Sequence, residues 1–106
     1  MENGKLLVLV VCDAGMAISS MMVNKIEALL SPLKMEYLVV SLLPISVPAF
    51  TQQSAVDIIV STGPIPADIN VPVVNGLPLL TGFRESTFNE EICQLAEDIF
   101  DKKAGD

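Results

Sequence analysis

Chemistry in this 106-residue chain has few places to reside, because the sequence contains no histidine and only two cysteines, Cys12 and Cys93. Without histidine there is no Ser-His-Asp or Cys-His activation, no histidine general base and no histidine metal site. The cysteines lie 81 positions apart and lack any CxxC spacing, which argues against a cysteine metal site as well. If the protein performs a reaction, Cys12 or Cys93 is the leading reactive group.

Cys12 has the more informative surroundings. It follows the apolar run Leu6 to Val11 and opens a stretch of small or flexible residues, Asp13, Ala14, Gly15, Met16, Ala17, Ile18 and Ser19, that leads into a helix at Ser19-Ser20. Successive backbone N–H groups in such a loop, continuing into a helix N-terminus, make an anion-sized concavity. The same field favours thiolate over thiol; a cysteine at its reference pKa of about 8.5 is only a few per cent thiolate at pH 7. A nucleophile and an anion cradle thus coincide.

A cysteine after a first strand is also often just a small buried hydrophobe. Three sharper assignments fail on residues. A Walker loop needs GxxxxGK[ST], but no lysine follows Gly15 until Lys25. A dinucleotide fingerprint needs GxGxxG, and this loop has one glycine. A low-molecular-weight tyrosine phosphatase needs CxxxxxR, and the sixth residue after Cys12 is Ile18. Without that arginine no bidentate clamp stabilises an equatorially charged phosphoryl transition state. Such a cradle is poorly equipped for hydrolysis but could hold a phosphoryl group and pass it on.

The elements that must position this loop read as an α/β domain. Lys5 to Val11 is a strand buried on both faces, as in a parallel sheet. A helix follows from Ser19-Ser20 to about Leu30, with Ile18, Met22, Ile26 and Leu29/Leu30 at helical spacing, and Ser31-Pro32 ends it. Met35 to Leu43 is a second strand, Pro44 to Gln53 a loop or short irregular helix, Asp57 to Ser61 a third strand and Val71 to Val74 a fourth. Asn75 to Pro78 reads as a turn, and the Asn75 to Gly82 segment is a candidate rim of the site. The last helix spans about Phe88 to Lys102, with a Thr87–Glu90 capping box and a core stripe of Phe88, Ile92, Leu95, Ala96 and Ile99. Cys93 lies off that stripe and reads as a packing residue. The expected fold is a single domain over 1–106, an open sheet of about four mainly parallel strands with helices on both faces and a P-loop-like loop after the first. Residues 102–106 read as a flexible tail.

Composition narrows the setting. The net charge of −7 argues against nucleic acid or an anionic membrane as the main partner. The N-terminal apolar run is too short for a signal-peptide core. The longest charge-free stretch, Tyr37 to Val56, contains Pro44, Pro48, Gln52 and Gln53, which suit a strand and loop better than a membrane helix. These features predict a soluble, cytoplasmic protein without direct membrane insertion, its cysteines kept as thiols. The acidic run of the last helix reads as a solvated face.

Cys12, Gly15, Ser19 and Ser20 in the pattern CxxGxxxSS after a strand, followed by Met21, resemble the enzyme IIB component of the bacterial phosphoenolpyruvate:sugar phosphotransferase system. The segment Val74-Asn75-Gly76-Leu77-Pro78-Leu79-Leu80-Thr81-Gly82 is similar to a late segment of the galactitol-type IIB proteins. The resemblance implies a cysteine that takes a phosphoryl group from a phosphohistidine on a IIA component. It then gives the group to a sugar or sugar alcohol held by a membrane IIC component, with no metal or organic cofactor. Cys12 maps to that cysteine, and Asp13, Ala14, Gly15, Met16, Ala17, Ile18, Ser19 and Ser20 map to the phosphate-binding loop. Asp13 departs from the galactitol-type pattern, where a small residue is more usual. A carboxylate ~4 Å from a thiolate repels it by about 1 kcal/mol in water, comparable with the roughly 0.3–1 kcal/mol that a helix end supplies to an anion. A non-enzymatic regulatory module of the same fold and a cysteine phosphatase are the alternatives.

Overall fold

The computed structural model describes residues 5–12, 16–33, 35–65 and 69–105, without the side chains of 16 and 103–105. Four strands, β1 (Leu6–Val11), β2 (Tyr37–Leu42), β3 (Ile58–Ser61) and β4 (Val73–Asn75), form one parallel sheet in the order β2-β1-β3-β4. The helices are α1 (Met16–Leu30), α2 (Val47–Gln53), α3 (Leu77–Thr81) and α4 (Glu85–Gly105), with 3₁₀ turns at Ser31–Leu33 and Pro44–Ser46.

The unbroken apolar run of β1 follows from its central place, because both of its faces are covered. Leu6, Val8 and Val10 join Ile58 and Val60 of β3 in a core beneath α1, α3 and α4. Leu9, Val11 and Ile59 point the other way, against Val47 and Phe50 of α2 and Ile65, Ile69 and Val71 of the β3–β4 connection. Side chains of a strand alternate between faces, so a strand covered twice needs apolar residues at every position. Each fully buried Val, Leu or Ile contributes about 1.5–3 kcal/mol relative to exposure. The expectation of parallel strands with helices on both faces is met.

Helix boundaries differ from those expected. The first helix begins at Met16, three residues before Ser19. Ser19 and Ser20 therefore lie inside α1 and do not cap it; Met16-Ala17-Ile18 has no helix breaker, and Ala is the strongest helix former. Met22, Ile26 and Leu30 are its fully buried stripe. The expected turn at Asn75–Pro78 is in part a helix, since α3 tolerates Pro78 in its first turn, where an N–H has no intrahelical partner anyway. The Asn75 side-chain oxygen accepts the Leu77 N–H at 3.0 Å. Gly82, at φ 78°, ends α3 in the left-handed region that suits glycine.

The last helix also starts early, at Glu85. Thr87 is thus a helical residue and the Thr87–Glu90 capping box does not form; the Arg84 carbonyl instead accepts the Phe88 N–H at 3.1 Å. Phe88, Ile92 and Ala96 are buried while Leu95 and Ile99 pack at the margin. Helical backbone continues through Gly105, beyond the Lys102 end expected, and Asp106 lies outside the described residues. Lys25 of α1 ties this layer together, donating to the Leu79 carbonyl and the Glu85 carboxylate, each at 3.3 Å. Among the described residues no helix is long and apolar enough to cross a membrane.

Candidate functional site

In the order β2-β1-β3-β4, the chain leaves β1 for β2 on one side and returns to β3 on the other. The β1/β3 boundary is therefore the topological switch point, where connections diverge to opposite faces and leave a crevice at the carboxyl ends of the strands. Cys12 is the first residue after β1, and its N–H donates to the Leu42 carbonyl of β2 at 3.3 Å. On the other side the Thr62 N–H donates to the Val11 carbonyl at 3.3 Å. The backbone beside Cys12 is thus pinned to both neighbouring strand ends.

A cavity of about 290 Å³ opens there, lined by Val11, Cys12, Pro44, Ser61, Thr62, Gly63 and Pro64. At roughly 30 Å³ per water it has room for a phosphoryl group with solvent. Cys12 itself is only 3% exposed and also borders the core beneath α1. The thiol therefore packs against the core and borders the cavity at the same time.

Asp13, Ala14 and Gly15 lie outside the described residues, as does the side chain of Met16. Ala17, Ile18, Ser19 and Ser20 occupy the opening turns of α1. The first N–H groups of a helix have no intrahelical acceptor, and its dipole favours an anion at that end. This turn follows Cys12 in the chain after only the three residues 13–15.

The cavity wall built from Pro44 and Ser61–Pro64 has no counterpart among the site residues expected from sequence. Thr62-Gly63-Pro64 looks like turn chemistry in sequence, and only the spatial order of the strands shows that the β2 and β3 ends flank Cys12. A parallel α/β order with the first strand in the middle was the available signal. Ser61 is the one buried polar residue of the described core; its hydroxyl donates to the Gly63 carbonyl at 2.7 Å and accepts the Gly63 N–H at 3.2 Å. The Asn75–Gly82 segment does not line the cavity. It packs beside it, with the Gly76 N–H donating to the Ser61 carbonyl at 2.8 Å.

No described lining residue carries a charge, and the chain's single arginine, Arg84, stands on the exposed turn between α3 and α4. No group of three or more His, Cys, Asp or Glu residues converges as a metal site among the described residues. Cys93 is elsewhere, on α4, with its thiol 3.8 Å from the Leu29 carbonyl at the far end of α1. Burial pushes its pKa up, and the nearby Glu97 carboxylate adds to the rise.

Fold and site together describe a parallel α/β domain with a cysteine at its switch point. No family model and no curated protein sequence matches the chain. Among solved structures the chain is similar to the cellobiose-specific phosphotransferase IIB component protein from Borrelia burgdorferi, with a TM-score of 0.54 and 19% identity over 93% of this chain and 94% of that one. At this identity the likeness establishes the shared fold.

Proposed function

We propose that the protein is a phosphoryl carrier of a bacterial sugar phosphotransferase system, a IIB component in which Cys12 carries the group. The observation that bears most weight is the position of Cys12 at the switch-point cavity of a domain that shares its fold with a IIB component. The thiol is at the crevice where this fold class collects ligands, with a helix N-terminus four residues further on.

In the reaction the Cys12 sulfur attacks phosphorus in line with the phosphorus–nitrogen bond of a phosphohistidine on IIA. The S–P bond forms as the P–N bond breaks, the electron pair passes to the imidazole nitrogen, and the proton lost by the thiol ends on that nitrogen. N–H groups of 13–18 and the Ser19 and Ser20 hydroxyls offset the charge of the phosphoryl oxygens. In the second transfer a sugar hydroxyl held in a membrane IIC component attacks the same phosphorus; the O–P bond forms as the S–P bond breaks, and the hydroxyl proton ends on the Cys12 sulfur, restoring the thiol. No step calls for a metal or organic cofactor, and the acidic domain works in the cytoplasm without entering the bilayer. A galactitol-like acceptor is favoured by the segment Val74–Gly82, whereas the structural neighbour is described as cellobiose-specific. Exchanging galactitol- and cellobiose-transporting IIC partners in a transfer assay decides between them.

Incubation with phosphorylated IIA tests the carrier role: wild type acquires label on Cys12 and Cys12→Ser does not. Label that persists on the serine variant, or never appears on wild type, overturns the assignment. A second reading, a binding module of the same fold whose thiol only packs, is favoured by the 3% exposure of Cys12. Phosphoryl uptake without onward transfer to any sugar would mark a regulatory protein.

A further inference from the structure

The β1–β3 register continues one step beyond the assigned strands. Val11 is paired with Ser61, and the Thr62 N–H to Val11 carbonyl bond of 3.3 Å extends the parallel ladder so that Thr62 comes beside Cys12. Neighbouring strands lie about 4.8 Å apart. Cys12 continues the series Val8 and Val10 that faces α1, and the register places Thr62 one step after Val60, level with Cys12. The two residues are therefore lateral neighbours in phase with one another, and both line the cavity.

Adjacent hydroxyls are used differently here. The Ser61 hydroxyl is consumed by both polar groups of Gly63. The half-exposed Thr62 hydroxyl makes no hydrogen bond among the described residues. Because no described lining residue is charged, O–H and N–H donors are what this wall can offer an anion.

We propose that Thr62 donates its hydroxyl proton to a phosphoryl oxygen on Cys12, making the end of β3 a second wall of the phosphate site. The inference rests on the carrier reading. Thr62 takes no part in making or breaking the S–P bond; it holds the charged group once formed. Removing a hydrogen bond to a charged acceptor shifts the equilibrium by about 10- to 100-fold.

The test is the equilibrium ratio of phosphocysteine to phosphohistidine reached with phosphorylated IIA, for wild type, Thr62→Val and Thr62→Ser. Thr62→Val, which keeps the shape, is expected to lower the ratio about 10- to 100-fold, and Thr62→Ser to stay within about threefold of wild type. Wild type labelled on Cys12 together with an unchanged Thr62→Val ratio overturns this inference alone. So does a Thr62→Ser loss as large as that of Thr62→Val, which would assign the methyl group rather than the hydroxyl. Wild type that takes no label on Cys12 removes both this inference and the carrier role. Should Thr62→Val not fold, Thr62→Ala poses the same question.

Discussion

The two cysteines stand at opposite ends of one helix. Cys12 precedes the N-terminus of α1, whereas the Cys93 thiol meets the Leu29 carbonyl in its last turn. At 1.5 Å per residue those ends are about 20 Å apart, far beyond the ~7 Å Cα separation that a disulfide permits. The helix dipole favours an anion at the first end and disfavours one at the second. Cys93 meets a carbonyl acceptor, burial and the Glu97 carboxylate, all of which favour the protonated thiol. Cys12 borders a cavity with backbone pinned on both sides. Residue type alone does not distinguish them; the end of the helix and the open space do.

The largest effect expected from this contrast is on phosphoryl uptake. Cys12→Ser should reduce labelling by phosphorylated IIA to background, while Cys93→Ser should remain within about twofold of wild type, as a substitution away from the chemistry. A folded Cys93→Ser variant that loses uptake would break the comparison, because it would place the second thiol in the transfer route.

Much of this contrast was legible in sequence. The run Leu6–Val11 ending at cysteine announced a doubly covered strand, and its β-branched residues gave no competing helical period. Cys93, outside the stripe Phe88–Ile92–Ala96, is indeed half-buried and packed against the core. Sequence alone places the starts of α1 and α4 about a turn late, because Ser19, Ser20 and Thr87 look like caps. A cap is defined by backbone geometry, which a serine or threonine permits without imposing. Helix α3 was hidden by Gly76 and Pro78, residues that read as a turn yet fit a helix start. The second wall of the cavity was hidden for a different reason. Pro44 and Ser61–Pro64 join Cys12 through strand order, and no local signal in either loop encodes which strand lies next to β1.

Changes in stability come next in size, and they separate the two ends of the sheet. At the end away from Cys12, the Asp57 carboxylate accepts the Leu7 N–H at 2.8 Å while the Asp57 N–H donates to the Leu7 carbonyl at 2.9 Å. Asp57→Ala leaves the Leu7 N–H without that charged acceptor and should cost about 1.5–3 kcal/mol. In a domain of this size each kcal/mol lowers the melting temperature by roughly 4–8 °C. Labelling of Cys12 in the folded fraction should be unchanged, since the loss lies at the opposite edge. At the cavity end, a Cβ on Gly76 would stand 2.9 Å from Met22 Cε and 2.9 Å from Val60 Cγ1. The Met22 methyl can swing aside, but Val60 is fixed on a central strand, so Gly76→Ala should cost about 1–3 kcal/mol by overpacking. Gly63 has no atom within 4 Å of such a Cβ, and Gly63→Ala should leave the melting temperature nearly unchanged, within about 0.5 kcal/mol. Equal losses at Gly63 and Gly76 would contradict the packing described for the β4–α3 junction.

The smallest expected effect concerns pH and tests the Cys93 side of the comparison. Burial first, and the Glu97 carboxylate second, raise the Cys93 pKa in the folded protein. Below the ordinary thiol range, around pH 8.5, the thiol is protonated in folded and unfolded chains alike, and the favourable environment of the neutral form is fully available. Above it the unfolded chain loses its proton first while the folded thiol keeps its own, so the folded state binds more protons and stability falls as pH rises. The decline continues until the folded thiol also ionises. Cys93→Ala removes this component while retaining the lysine and tyrosine titrations common to both proteins. Urea midpoints measured from pH 7 to pH 10 should therefore fall more steeply for wild type than for Cys93→Ala, whatever the offset between them at pH 7. Parallel curves would mean that the Leu29 carbonyl, the burial and Glu97 do not hold the proton on Cys93, and the two ends of α1 would then differ only in the cavity.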